Sequence, residues 1–228
     1  VSIANYTDLV QRCQDWLFGR TDIASRVPDF ITMFEAKANR MLKCRQMEAR
    51  AIAPINATIT EPQYLALPPD FHSMRRVRVL PPPGISSTNA PRLKFATGQQ
   101  IDDLRVRMQS TPVGLPIWFA LFGNEMELCP TPDQNYNIEM VYRTYLPALN
   151  TTPPGGSLIT FNWLLTFAPD AYLYGTLMEA APYLHDDDRI QVWASGVTAA
   201  FQSINDLSDE ALYNAGPLVV RRKGSGYS

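Results

Sequence analysis

Pro28-Asp29-Phe30-Ile31-Thr32-Met33-Phe34-Glu35-Ala36-Lys37-Ala38-Asn39-Arg40-Met41-Leu42-Lys43 is the stretch whose reading decides the fold. Phe30, Ile31, Phe34, Ala38, Met41 and Leu42 recur at helical spacing and form one apolar stripe. Asp29, Glu35, Lys37, Arg40 and Lys43 fall on the other faces, acids early and bases late, as the helix dipole prefers. Pro28 fits a first-turn position, where its missing N–H costs nothing. One amphipathic helix cannot bury its own stripe, so partners must lie elsewhere in the chain.

The nearest partner is upstream. Asn5 or Thr7 can cap a first helix carrying Leu9, Val10, Cys13, Trp16 and Leu17 on one face, and Gly19 is a natural stop. Helical spacing returns only after Pro153-Pro154-Gly155-Gly156. Asn162 can cap a turn with Trp163, Leu164 and Leu165. Pro169-Asp170 then opens a helix bearing Tyr172, Leu173, Leu177, Ala180 and Ala181, which Pro182 should kink or end. A long last helix begins at Asp186-Asp187-Asp188 and keeps Ile190, Trp193, Val197, Ala200, Phe201, Ile204 and Leu207 in register.

Between these helical ends the character changes. Prolines crowd between about residues 54 and 154, where strands and loops are expected rather than helices. Residues 51–55, 64–67 and 77–80 are short, β-prone and bounded by turn formers. Residues 116–122 and 125–129 flank Gly123-Asn124 and read as a hairpin. Residues 137–145 alternate, with Ile138, Met140, Tyr142 and Thr144 on one side. Ile101, Leu104 and Met108 could line one or two helical turns between Gly98 and Ser110. Residues 81–89 read as an exposed loop. The expected class is therefore α+β. N- and C-terminal helix pairs (residues 1–45 and 160–215) would form a helical bundle, interrupted by a small antiparallel β-domain (46–159). Residues 216–228 would follow as an extended tail.

Composition narrows the function. Hydrophobic residues at 46% and charged residues at 18% describe an ordered chain rather than a disordered one. A formal net charge of −2 argues against holding duplex DNA by phosphate neutralisation, which needs a basic excess. No signal peptide or membrane-spanning run is read. Cys13, Cys44 and Cys129 are far apart and odd in number, which suits reduced core residues made in a cytoplasm. The sequons at Asn56 and Asn150 need a secretory route and read as chance.

Candidate chemistry is thin. The two histidines, His72 and His185, are far apart, and no nucleophile elbow or phosphate-cradling glycine loop occurs. His185-Asp186-Asp187-Asp188 is the best metal-site lookalike and would serve a small metal-dependent hydrolase or nuclease. Adjacent residues on a helix point different ways, however, and acids at its start satisfy the orphan N–H groups without any metal. No cofactor is implied. Arg75, Arg76, Arg78, Arg105, Arg107 and the tail's Arg221, Arg222 and Lys223 could touch phosphate; the strand residues read more simply as a solvated face that discourages edge pairing, while the tail stays open to either reading. Trp163, Phe167, Tyr172, Tyr174, Tyr183 and Trp193 exceed the needs of one helix pair. Of these, Trp163, Tyr172, Tyr183 and Trp193 are candidate anchors at a subunit contact.

Several stretches also share an order. They include Tyr6-Thr7-Asp8-Leu9-Val10 with Trp16-Leu17, Pro28-Asp29-Phe30-Ile31 with Glu35-Ala36 and Asn39-Arg40, and Leu67-Pro68-Pro69-Asp70-Phe71. Later come Asn162-Trp163-Leu164-Leu165, Ala168-Pro169-Asp170, Tyr172-Leu173-Tyr174-Gly175, Glu179-Ala180-Ala181-Pro182-Tyr183-Leu184 and Asp187-Asp188-Arg189. In that order, from about Asn5 to Val220, the chain resembles the head-to-tail adaptor proteins of tailed bacteriophages, including tail tubular adaptors. The resemblance implies a virion component without catalytic residues. It would form a homo-oligomeric ring, commonly of twelve copies, that binds the portal above and a tail or nozzle protein below while genomic DNA passes through the lumen. Another ring component, such as a tail terminator, is the nearest alternative. The tail residues Leu218, Val219, Val220, Arg221, Arg222 and Lys223 would dock on the portal, adding a strand to an exposed edge and meeting acidic groups.

Overall fold

The computed structural model describes residues 3–17, 21–80, 91–108, 113–184 and 187–213. The predicted loop at 81–89, His185 and Asp186 at the metal lookalike, and the tail from residue 216 lie outside the described residues. Contacts divide the chain into two units: residues through Gln46 with those from Leu146 onward, and Met47–Tyr145.

The first unit is helical. Helix α1 (Tyr6–Trp16) starts at Asn5, whose side chain accepts from the Asp8 N–H at 3.0 Å. A short α2 (Thr21–Ala24) leads into α3 (Val27–Met41), where Pro28 sits in the first turn as its missing donor allows. Helix α5 (Trp163–Phe167) is capped by Asn162, which accepts from the Leu165 N–H at 2.9 Å. Helix α6 (Pro169–Leu184) follows, with Pro182 inside it near the end, and then α7 (Asp187–Tyr213). Helix α6 is apolar on nearly every side and is buried accordingly, from Ala171 to Ala181. At Gly175 it meets α3 so closely that an added Cβ would stand 2.0 Å from the Phe34 ring. Phe34 also packs on Tyr172 and Phe201, so α3, α6 and α7 share one core. Glu35 departs from expectation. It was placed on a polar face of α3, yet it is buried.

The second unit holds two sheets. In one, β1 (Glu48–Ile55), β7 (Tyr136–Thr144) and β3 (Phe71–Leu80) run antiparallel in the order β1-β7-β3. In the other, β2 (Tyr64–Ala66), β6 (Glu125–Cys129), β5 (Trp118–Phe122) and β4 (Lys94–Phe95) lie in the order β2-β6-β5-β4. The hairpin β5–β6 turns at Gly123-Asn124, with Gly123 at φ +54° in the left-handed region that suits glycine. This sheet is not wholly antiparallel as expected, because β4 runs parallel to β5. Two residues of β4 carry too little pattern to be read as a strand. Alternation sorts the side chains into layers. Phe119, Met126 and Leu128 join Val77, Val79, Ile138, Met140 and Tyr142 in one core between the sheets. Ala120 and Cys129 face the other way and pack with Ile101 of α4 (Gly98–Arg107). Helix α4 exceeds the one or two turns expected because Thr97 and Gln100 form a reciprocal capping box. Met108 falls beyond its end and is exposed.

The strand-rich unit closes at Tyr145, short of the expected boundary at residue 159. The reason is polar. The Leu146 N–H donates to Asn39 Oδ1 at 2.6 Å and the Leu149 N–H to Glu35 Oε1 at 2.9 Å, tying the following segment to α3. The Asn150 and Ile159 N–H groups then close it on itself.

Candidate functional site

A concentration of charge lies on the outer face of the β1-β7-β3 sheet. Strand alternation turns Ile138, Met140 and Tyr142 inward, so Glu139, Val141 and Arg143 face out. The same rule presents Glu48 and Arg50 from β1, and Arg76 and Arg78 from β3. A bulge between Met74 and Arg76 lets Arg75 reach Glu48 at 2.8 Å. Arg92 pairs with Arg78 through an isolated bridge and joins this face. Glu139 is buried at its centre. Arg50 and Arg78 donate to its two carboxylate oxygens, and Arg76 stands 3.9 Å away. Hydrogen bonds from Arg78 lead the causes that hold the Glu139 carboxyl down to about 2, with Arg50 adding to them against the cost of burial. The face is therefore basic. Its six arginines meet two glutamates, and neither Arg92 nor Arg143 has an ion-pair partner among the described residues. The strand face is solvated, its paired arginines one-third to about half exposed, but it has more order than the sequence suggested. The arginines are organised around a buried anion, and Glu139 was not singled out because one acid in an alternating strand gives no signal of its own.

Arg105 lies apart from this cluster, paired with Glu127 at 2.7 Å between α4 and β6. An open cleft of about 500 Å³ is lined by Lys94, Phe95, Gln100, Asp103, Arg107 and Trp118, a mixed polar and aromatic set.

The second polar cluster is inside the helical unit. Glu35 Oε1 accepts from the Leu149 N–H and from the Tyr172 hydroxyl at 3.0 Å. Asn162 donates in turn to the Tyr172 oxygen and to the Pro147 carbonyl at 2.8 Å. Burial raises the Glu35 carboxyl despite these two donors, and burial with the neighbouring Glu35 pushes the Tyr172 phenol far up. The cluster joins α3, α5, α6 and the segment after Leu146. It has the character of a structural fastening.

The predicted interface anchors separate. Tyr172 is enclosed completely and Trp193 almost so, and both rings serve the interior of the helical unit. Trp163 is half-buried beside a shallow apolar hollow of about 380 Å³ that it shares with Phe161 and Phe167. Those two rings are 64% and 59% exposed, a large apolar surface for one short helix and the residue before its cap. Tyr183 is 55% exposed and leans on Phe30. Phe161 was missed because it sits outside any periodic segment.

The other sequence candidates do not converge. His72 is exposed and stacks on Tyr145. Among the described residues no group of three His, Cys, Asp or Glu side chains is placed to hold a metal. Cys13, Cys44 and Cys129 are buried and unbridged, and burial pushes the Cys13 thiol up to about 12. No helix among the described residues is long and apolar enough to cross a membrane.

Among the described residues the notable surfaces are an arginine face and an aromatic patch, features that suit an assembly component. A family model described as SU10 adaptor protein matches residues 4–221 and places the chain, more closely, among the structural proteins of the bacteriophage virion. The chain belongs to this family of phage head-to-tail adaptors. A search of curated proteins finds no match.

Proposed function

We propose that copies of this chain form a ring that joins the portal of the phage head to the tail, with genomic DNA passing through its lumen. The observation that carries the reading is the aromatic patch of Phe161, Trp163 and Phe167 in a chain of the adaptor family. Rings of this kind are enriched at protein contacts, where they bury large area at low entropic cost. Tyr183 on α6 and Val192 and Leu207 on α7 add exposed apolar groups on other elements, as a head-to-tail contact between copies requires. Twelve copies is the number proteins like these commonly use. The role is structural, and no catalytic step is assigned to any residue. Residues 218–223 dock on the portal, with Leu218, Val219 and Val220 adding a strand to an exposed edge and Arg221, Arg222 and Lys223 meeting acidic groups.

Mixing the chain with purified portal and imaging the complex tests the proposal. A ring of copies seated on the portal is expected, and no binding would overturn it. Deleting residues 216–228 should leave a folded chain with at least about tenfold weaker portal binding. Unchanged affinity would refute the docking role of the tail.

A further inference from the structure

Two surfaces of the chain are each unfavourable when considered alone, and they are opposite in sign. The first is the arginine face, where Glu48 and Glu139 leave most of the positive charge uncompensated. Arg92 and Arg143 have no ion-pair partner among the described residues, and the side chains of Arg50, Arg75, Arg76 and Arg78 keep one-third to about half of their surface exposed. The second is the end of α7. Asp206, Asp209 and Glu210 stand exposed there at i, i+3 and i+4, on one face of the helix. None of the three pairs with a cation among the described residues, and no basic residue occupies the last turn. A cation brought from outside would relieve them. A carboxylate brought from outside would relieve the arginines.

We propose that the acidic end of α7 in one copy docks on the arginine face of the next. This inference rests on the ring reading above and names the polar half of its subunit contact. The contact is heterologous, one surface against a different one, so a fixed rotation from copy to copy closes it into a ring. Guanidinium forks suit it, since they bind carboxylates in a planar, directional way that sets register as well as affinity. Duplex DNA is the competing occupant of the arginine face. It is disfavoured because a lumen that gripped phosphates would impede passage of the genome, and because it leaves the acids on α7 without a partner.

Cross-linking on the portal tests the contact. Two single-cysteine variants, Arg92→Cys and Glu210→Cys, are mixed, assembled on purified portal and treated with a short bis-maleimide. The native cysteines are buried and should stay silent. The expected product is a covalent pair containing one of each variant, absent when either variant is assembled by itself. A second arm reverses the acids together, Asp206→Lys, Asp209→Lys and Glu210→Lys, and should weaken assembly at least about tenfold at low salt. A ring that seats normally on the portal, gives no mixed pair and tolerates the reversal would overturn this inference while leaving the ring reading intact. Failure of the unaltered chain to bind portal would remove both. Salt-sensitive binding of a DNA duplex that is lost in Arg92→Ala, with no mixed pair, would give the arginine face to DNA instead.

Discussion

Glu35 in the helical unit and Glu139, one of two buried glutamates in the strand-rich unit, are held by opposite means. Glu35 in the helical unit is met by neutral donors, a backbone N–H and a tyrosine hydroxyl, and its carboxyl is raised above the ordinary value. Glu139 in the strand-rich unit is met by guanidinium groups and its carboxyl falls to about 2. The difference follows from geometry. Where helices pack, the space beside a carboxylate fills with backbone and aromatic groups, whereas alternation on a sheet stacks long cationic side chains over one residue. The helical unit uses its glutamate to fasten segments, and the sheet uses its glutamate to let arginines crowd together. Only the second arrangement leaves surplus charge for a partner.

Removing the charge of Glu139 should give the larger effect. In Glu139→Gln the arginines lose their shared counter-ion, yet Arg50, Arg76 and Arg78 are one-third to about half exposed and water screens part of the loss. A destabilisation of about 2 kcal/mol is expected, below the 3–5 kcal/mol typical of a fully buried pair. Trp118 is the one tryptophan of the strand-rich unit, so its indole N–H signal during urea unfolding reports that unit, while Trp16, Trp163 and Trp193 report the other. An unchanged Trp118 midpoint would mean that the arginine face does not depend on its central anion.

Tyr172→Phe should come next, at about 1 kcal/mol. It keeps the ring that packs on Phe34 but removes one of the two donors to Glu35 and one of the two acceptors for Asn162. The loss belongs to the Trp163 and Trp193 signals. A matching shift of Trp118 would contradict a fastening confined to the helical unit.

How much of this was legible in the sequence depended on the periodicity of each element. The stripe of Phe30, Ile31 and Phe34, the Asn162 cap and the Gly123-Asn124 hairpin are local signals, and each became the element expected. Glu35 and Glu139 were not legible, because a buried carboxylate is identified by what surrounds it, and the donors come from residues 149 and 172 in one case and 50 and 78 in the other. The parallel strand β4 was hidden for a related reason. A parallel neighbour is reached by a crossover, and Lys94-Phe95 is too short to show alternation. The surplus of aromatics marked out Trp163 and Tyr183 but also Tyr172 and Trp193, since a count of rings does not separate a core ring from an exposed one.

The smallest effect should also distinguish the two glutamates most directly, because its sign depends on pH. A carboxyl raised in the folded state binds its proton more tightly there, so Glu35 costs nothing below the usual glutamate range. The cost appears as pH rises through its elevated folded value. Glu139 runs the other way. Its contribution is complete above the usual 4.5 and is lost as pH falls towards about 2. Glu35→Gln keeps a carbonyl to accept from Leu149 and Tyr172 and never ionises, so near neutral pH it should stabilise the helical unit by at most about 1 kcal/mol. In acid the gain should vanish as the native carboxyl becomes neutral as well. The measurement is the urea midpoint of the Trp163 and Trp193 signals from neutral pH down to pH values below the ordinary glutamate range, with Trp118 as the internal control. Acid should lower the Trp118 midpoint in both proteins, while the helical signals of variant and parent converge. A variant that is less stable near neutral pH, or one whose difference from the parent grows in acid, would show that Glu35 is ionised and favourably bound, and the contrast between the two units would then fail.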